Sequence, residues 1–194
     1  IIINLLMEIS DAIKFRRAIY PSQYNKGKIS KKDIKEILNN ANLAPSHRLT
    51  QPWFFKVFQN KFKDDLALSM INHYKSDITD SNNIDFKLKK ILDKCKSSDC
   101  IIAIFMNRDL ANSLPEWEEI AATAMAVQNM WLTCVEKNIG CYWSSPKYIS
   151  KMGNYFNLNQ NQRCLGFFYM GLFDHSNQKS KDRVDIYQKS EWFI

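Results

Sequence analysis

The chain has 194 residues, of which 45% are hydrophobic, 13% aromatic and 24% charged, and its formal net charge is +7 at pH 7. This length predicts one domain rather than two independent cores, and the hydrophobic content excludes an intrinsically disordered chain. No apolar run approaches the roughly 20 residues that a transmembrane helix needs, so no such helix is predicted. We expect residues 1–7 to form an N-terminal extension without the features of a secretion signal.

The positive charge raises the hypothesis of a nucleic-acid-binding domain. The lysines are nevertheless spread along the chain, mostly beside Asp or Glu on presumed solvated helix faces. Recognised DNA and RNA modules combine a basic patch with a helix-turn-helix, an aromatic ribonucleoprotein motif or zinc ligands, and the sequence has none of these. We therefore expect no nucleic-acid partner, and we expect part of the charge to serve a phosphate-bearing cofactor.

Cysteine and histidine are distributed in a way that indicates no metal site. The five cysteines show no CxxC spacing, and the three histidines form no HxxxH or HExxH pair. Unpaired cysteines in apolar segments behave as small hydrophobic residues in a reducing compartment. We therefore expect a cytoplasmic protein.

The first third of the chain predicts two helices and one strand. The opening helix is expected over residues 8–17, with Ile9, Ala12, Ile13 and Phe15 facing a core. Ser30 and Asp33 form a capping box for a second helix, which ends before Pro45. An aromatic, β-branched strand follows over 53–58.

The middle of the chain contains its strongest helical pattern. Surface helices are expected over 62–74 and 86–96, followed by a strand over 100–106 whose apolar residues indicate burial on both faces. From Glu116 to Glu136, apolar residues recur at steps of three and four over more than five turns. The expected core face contains Trp117, Ile120, Ala121, Ala124, Val127, Gln128, Trp131 and Val135.

The last third predicts strands over 141–143 and 165–172, a helix over 147–156, and an arm over 173–194 that ends in an apolar tip. Helices and strands alternate without a strict βαβ rhythm. The whole pattern predicts an α+β fold in a single domain over 1–194.

A Rossmann dinucleotide site, a phosphate-binding P-loop and a nucleophile elbow are excluded. With five glycines, the chain contains no GxGxxG, no GxxxxGK[ST] and no GxSxG motif. Asp11, Glu36 and the pair Glu118 and Glu119 are candidate acid–base groups, but on their helices we expect them to face water.

Three segments are candidates for binding. Arg16 and Arg17 close the opening helix, where they either complement its dipole or hold a phosphate or an electron-rich ring. The segment 44–53 is either an ordinary loop or a site in which His47 and Gln51 orient a heterocycle. The run 181–183 is a solvated charge cluster unless the arm folds back near Arg16.

Six short motifs, taken in order, resemble the nitroreductase-like flavoprotein family, particularly its small members. The motifs lie at residues 16–18, 44–53, 115–119, 126–130, 140–143 and 166–171. The resemblance implies an antiparallel-dominated sheet of four or five strands wrapped by helices, in an intertwined homodimer. It also implies that the helix over 116–136 lies in the subunit interface, with two FMN sites built from both chains.

The resemblance also implies roles for individual residues. Arg16, Arg17 and Ala18 would contact the phosphate, ribityl chain and pyrimidine of FMN, and Lys181 or Arg183 would reach the phosphate. The partner's Leu43 and His47 would approach the flavin, with Gln51 beside them. Trp143, Ser144 and Ser145 would line its inner face.

The implied activity is hydride transfer from NADH or NADPH through flavin N5 to a nitro compound, a quinone or a similar acceptor, by a ping-pong mechanism without a catalytic side chain. The alternative is a module that binds or stores flavin without turnover. Two positions depart from the family pattern. Ala18 lacks the hydroxyl of the frequent serine, and Ser144-Ser145-Pro146 replaces a frequent arginine, small residue and glycine.

Overall fold

A computed structural model describes residues 7–77, 83–111, 113–174 and 182–194. The helices are α1 (Ile9–Phe15), α2 (Lys31–Ala41), α3 (Lys61–Asp77), α4 (Ile84–Ser97), α5 (Glu116–Glu136) and α6 (Gly153–Phe156). The strands are β1 (Trp53–Gln59), β2 (Cys100–Asn107), β3 (Ile139–Ser144) and β4 (Gln162–Leu172). Short 3-10 helices lie at Pro21–Gln23, His47–Leu49, Lys147–Lys151 and Ile186–Lys189. The predicted α+β class is confirmed.

The four described strands form one antiparallel sheet in the order β1-β2-β4-β3. Alternate β2 side chains enter two different cores, as the uninterrupted apolar strand predicted. Ile102 packs on the face covered by α2 and α5, whereas Ile101 packs on the face covered by α3 and α4. The sheet therefore separates an α2–α5 face, against which Trp143 packs, from an α3–α4 face.

Helix α2 begins at a side-chain cap, as predicted. The Ser30 hydroxyl oxygen accepts a hydrogen bond from the backbone N–H of Asp33 at 3.0 Å. The Asp33 carboxylate bonds to the Ser30 hydroxyl at 2.5 Å instead of reaching back to a backbone N–H, so only half of the predicted capping box forms. The carboxylate of Asp33 has a lowered pKa, chiefly because of this bond to Ser30.

Helix α5 has the predicted bounds, but part of its expected core face is wrong. Trp117 is 67% exposed, and Ile120 and Gln128 are also exposed. The buried side is formed instead by Ala122, Thr123, Ala126, Val127 and Met130. The apolar pattern extends around more of the helix than one chain covers, which leaves an apolar face open.

Two further predictions are wrong in part. In α1 only Ala12 is buried, while Ile9, Ile13 and Phe15 are exposed. This two-turn helix packs chiefly against α5, so most of its surface stays open to solvent. The helix predicted over 147–156 is divided into the 3-10 helix Lys147–Lys151 and α6. Met152, with φ −83° and ψ 7°, is the non-helical junction between them.

The described part of the arm, residues 182–194, carries an exposed apolar tip. Trp192 is 70% exposed and Phe193 is 91% exposed. Lys181, which the sequence assigned to the phosphate site, lies outside the described residues. Among the helices that the structure describes, none is long and apolar enough to cross a membrane.

Candidate functional site

A cationic corner forms where the end of α1 meets α5. The Arg16 guanidinium carbon lies 4.9 Å from the centroid of the Trp131 ring. Burial lowers the pKa of Arg16, and the nearby positive charges of Arg183 and Arg17 lower it further. The arm therefore places Arg183 close to Arg16. This is the arrangement under which the sequence predicts a role in binding for the run 181–183 instead of a place in a solvated charge cluster.

None of these three arginines forms an ion pair within the described ranges. Gathering like charges without a carboxylate costs free energy that a bound anion would offset. Arginine also binds phosphate through two parallel N–H bonds. The corner formed by Arg16, Arg17 and Arg183 thus has the chemistry of a phosphate site.

Arg17 fixes the backbone of this corner. Its Nη1 donates to the carbonyl oxygens of Lys14 at 2.7 Å and of Arg16 at 2.8 Å, where it caps the end of α1. Its Nε is buried and has no hydrogen-bond partner. A buried donor without a partner is uncommon in a folded protein, and an anion at the corner would satisfy it.

Two further hydrogen bonds hold the segment after α1. Trp131 Nε1 donates to the carbonyl oxygen of Arg17 at 3.0 Å. The N–H of Ile19 donates to the carbonyl oxygen of Cys141 at 3.0 Å. Arg16, Arg17 and the exposed Ala18 therefore lie in a short stretch tied to α5 and β3.

The end of β3 supplies the other residues predicted in this region. Trp143 donates its Nε1–H to the carbonyl oxygen of Leu165 at 3.1 Å, so its ring is held against β4. A Cβ at Gly166, which has φ +148°, would collide with this indole nitrogen. Ser144 is half-buried and Ser145 is exposed.

Leu43, His47 and Gln51 form a second group on the loop between α2 and β1. His47 Nδ1 lies 2.6 Å from the Glu118 carboxylate at the start of α5. The N–H of Gln51 donates to the Ser46 hydroxyl at 3.2 Å. Leu43 is 77% exposed and projects from the same loop.

This loop is conformationally strained. Arg48, Leu49 and Gln51 have φ values of 53°, 54° and 44°. The left-handed region costs a non-glycine residue about 1–2 kcal/mol. Strain of this kind is concentrated at functional segments, where neighbouring contacts hold the backbone in place.

One chain does not bring the two groups together. Glu118, which binds His47, and Trp131, which stacks on Arg16, are both in α5. Thirteen residues of helix, at 1.5 Å each, separate them by about 20 Å along the axis. The structure therefore gathers Arg16, Arg17 and Arg183 near β3, and places Leu43, His47 and Gln51 near the other end of α5.

Sequence reasoning missed two residues of this arrangement. Trp131 packs against the core residue Phe168, as predicted, but it also binds the corner through its ring face and its indole N–H. Glu118 and Glu119 were both expected to face water, but Glu118 is paired with His47, and Glu119 is 1% exposed and paired with Arg108. The contacts of Trp131 with the corner and of Glu118 with His47 have no local sequence signal, because each joins residues more than 70 positions apart.

Titratable side chains elsewhere in the described part of the chain form no metal site. Among the described residues, no group of three or more His, Cys, Asp or Glu side chains is arranged to hold a metal ion. All five cysteines are free thiols, and four of them are buried. Burial raises the pKa of the Cys95 thiol to about 12, so this thiol stays protonated at neutral pH.

Comparison with known proteins identifies the class. The model of the nitroreductase family matches residues 13–172, and the chain belongs to this family. YfhC of Bacillus subtilis strain 168 has a name that gives NAD(P)H nitroreductase as its assumed activity. It is 27% identical to this chain over 179 residues, which cover 89% of this chain and 88% of YfhC.

Solved structures agree on the fold. A nitroreductase-like family protein from Bacillus cereus superposes with a TM-score of 0.82 at 26% identity, covering 96% of each chain. NfnB from Mycobacterium smegmatis, described as an FMN-dependent nitroreductase in complex with NADPH, gives a TM-score of 0.76 at 13% identity, covering 96% of this chain and all of NfnB. The predicted family and the predicted fold are both confirmed.

The contact between Gly166 and Trp143 gives a prediction about stability. Gly166→Ala forces an unfavourable φ and drives a methyl group into the indole, so we expect the free energy of unfolding to fall by about 2 kcal/mol or more in urea denaturation. Gly153→Ala is the matched control, because a Cβ there meets no atom within 4 Å. Equal stability of the two variants would show that Gly166 does not fix Trp143.

Proposed function

We propose that this chain is an FMN-dependent oxidoreductase that uses NADH or NADPH to reduce a nitro compound, a quinone or a similar acceptor by a ping-pong mechanism. The observation that carries the proposal is the cationic corner, where, among the described residues, three guanidinium groups have no carboxylate partner and the buried Arg17 Nε has no hydrogen-bond partner. The FMN-dependent NfnB shares the fold, and the family match covers the corner except for Arg183.

The residues of the corner fit the phosphate of FMN. We assign Arg16 and Arg183 to the phosphate oxygens and the free Nε of Arg17 to the phosphate or the ribityl chain. Lys181, two positions before Arg183, is proposed as a further cation for the phosphate. Ala18 contributes backbone alone where a serine would add a hydroxyl.

We assign the flavin ring to the end of β3, beside Trp143, Ser144 and Ser145. Bound FMN supplies the hydride chemistry at N5, so the protein needs to position the ring, exclude water and stabilise negative charge. Trp143 is immobilised by Leu165 and Gly166, and we propose that it supports the inner side of the site. Ser144 and Ser145 are assigned to polar edges of the ring.

We propose that the partner subunit supplies Leu43, His47 and Gln51. A two-fold axis between Ala124 and Met125 would place position 118 of one antiparallel α5 opposite position 131 of the other, since both positions are equally far from that centre. His47 of one chain would then lie near Arg16 of its partner. This arrangement supports two sites per dimer, each built from both chains.

The exposed apolar surface supports this dimer. Trp117, Ile120 and Met125 are exposed on the open face of α5, and Leu43 and Leu49 are exposed on the strained loop. Exposed apolar surface of this kind is typical of an interaction surface. We further propose that the arm carries Trp192 and Phe193 onto the partner subunit, within a single cytoplasmic domain.

Anaerobic mixing with a reduced nicotinamide tests the function. The FMN-loaded protein is expected to lose its yellow absorbance with NADH or NADPH and to regain it when a quinone is added. Steady-state rates should give parallel double-reciprocal lines, because donor and acceptor use the same space in turn. A flavin that stays oxidised with both donors would favour the storage module over the oxidoreductase.

Arg16→Ala tests the phosphate assignment. Losing charge-assisted hydrogen bonds worth about 1.5–3 kcal/mol should weaken FMN binding by about tenfold to a hundredfold, measured by quenching of FMN fluorescence. Lys14→Ala removes a positive charge from the same helix at a side chain that is 72% exposed, and should leave the affinity nearly unchanged. An Arg16→Ala protein that binds FMN as tightly as the parent would contradict the assignment.

Met125→Glu tests the shared site. A carboxylate buried at the proposed two-fold axis would face its own copy, so the dimer is expected to dissociate and FMN binding to weaken, as measured by sedimentation and fluorescence. Leu68→Glu is the control, because Leu68 is 58% exposed on α3, on the other face of the sheet. A stable dimer in the Met125→Glu protein would place the interface elsewhere.

A further inference from the structure

A cavity lined by lysines lies between α4 and the 3-10 helix Pro21–Gln23. Its volume is about 690 Å³, within the range of pockets that bind small molecules. We refer to this cavity as the α4 groove. The residues assigned to FMN do not line it.

One wall of the α4 groove is a helix face of like charges. Lys90 and Lys94 are one helical turn apart on α4, and Lys89 lies beside them. Lysines four positions apart on a helix repel each other. Among the described residues that line the groove, Asp93 is the single carboxylate, so this lining has an excess of positive charge.

Lys94 is the most confined of these cations. Its Nζ lies 5.7 Å from the centroid of the Tyr142 ring, and it has no ion-pair partner in the part of the chain that the structure describes. Burial lowers the pKa of Lys94, because desolvation disfavours the charged ammonium. An anion in the groove would stabilise that charge.

Exposed aromatic rings flank the lysines. Phe86, one turn before Lys90 on α4, is 67% exposed, and Tyr20 on the other wall is 51% exposed. The Tyr20 ring lies 4.9 Å from Tyr142, which itself stacks on Tyr169, so the Tyr20 wall rests on a row of packed rings. A planar ring placed between Tyr20 and Phe86 would cover apolar surface on both walls.

The positive charge continues beyond the groove. A smaller cavity of about 380 Å³ shares Pro21, Ser22 and Ser97 with it and is lined by Lys26, Lys63 and Lys96. Asp99, the carboxylate on this side, already accepts the N–H of Ile29 at 2.7 Å. The two cavities are therefore neighbours, and lysine side chains line both of them.

We propose that the α4 groove binds a nucleoside phosphate, with its base between Tyr20 and Phe86 and its phosphates on Lys90 and Lys94. Both parts of this ligand class are needed to match the surface, because phosphate alone would leave the two rings uncovered. Duplex nucleic acid is less suitable, since its bases are stacked and unavailable to the aromatic walls.

The test uses ADP as the probe and the full chain saturated with FMN, so that the cofactor site does not accept the nucleotide. Isothermal titration should show one ADP bound per chain, and binding should weaken as salt is added. The double variant Lys90→Gln, Lys94→Gln should weaken ADP binding by about tenfold or more, because charge-assisted bonds are lost. Lys87→Gln, on the same helix but outside the groove, is the matched control.

Two further variants separate the parts of the proposal. Phe86→Ala should weaken ADP binding but leave pyrophosphate binding unchanged, because only ADP has a base. Arg16→Ala should retain ADP binding, so a failure of the FMN assignment is distinguishable from a failure of this one. Absence of ADP binding, equal affinity in the lysine double variant, or tighter binding of duplex DNA through Lys90 and Lys94 would each overturn the proposal.

Discussion

The placement of α5 is the constraint on which the candidate site depends. At its first turn, the carboxylate of Glu119, which is 1% exposed, pairs with Arg108 and accepts the N–H of Asp109 at 2.8 Å. Breaking a buried pair leaves a charge without compensation, so this contact ties the start of α5 to the end of β2. Nearer its other end, Trp131 is bonded to the backbone of Arg17. A rigid helix fixed in this way determines how far apart the two halves of the site lie.

Much of the fold could be predicted from local patterns. The bounds of α5 and the double-sided burial of β2 follow from periodicity, because packing against a sheet or helix repeats along the chain. Periodicity does not tell which apolar face meets the same chain and which is left open. This is why Trp117 and Ile120 were wrongly assigned to the core, and why most of α1 was too.

The site was predictable only where its residues are neighbours in sequence. The pair Arg16 and Arg17 is visible as a motif, whereas the approach of Arg183 and the stacking of Trp131 on Arg16 are tertiary contacts. The loop before β1 was recognised by its polar composition. The strain of its backbone could not be recognised. Arg48 and Leu49 have φ values above zero, but residues of these types usually avoid that region, and nothing in the sequence marks the exception.

The net charge of +7 is unevenly compensated over the surface. Several cations have carboxylate partners, among them Lys14 with Asp11, Lys137 with Glu36, and Arg163 with Glu116. The corner at Arg16 and the groove at Lys94 have cations without such partners in the described residues, and both lie beside aromatic rings. Two confined clusters with an excess of positive charge support the two proposed phosphate-bearing ligands rather than a general affinity for nucleic acid, which would need a continuous basic face.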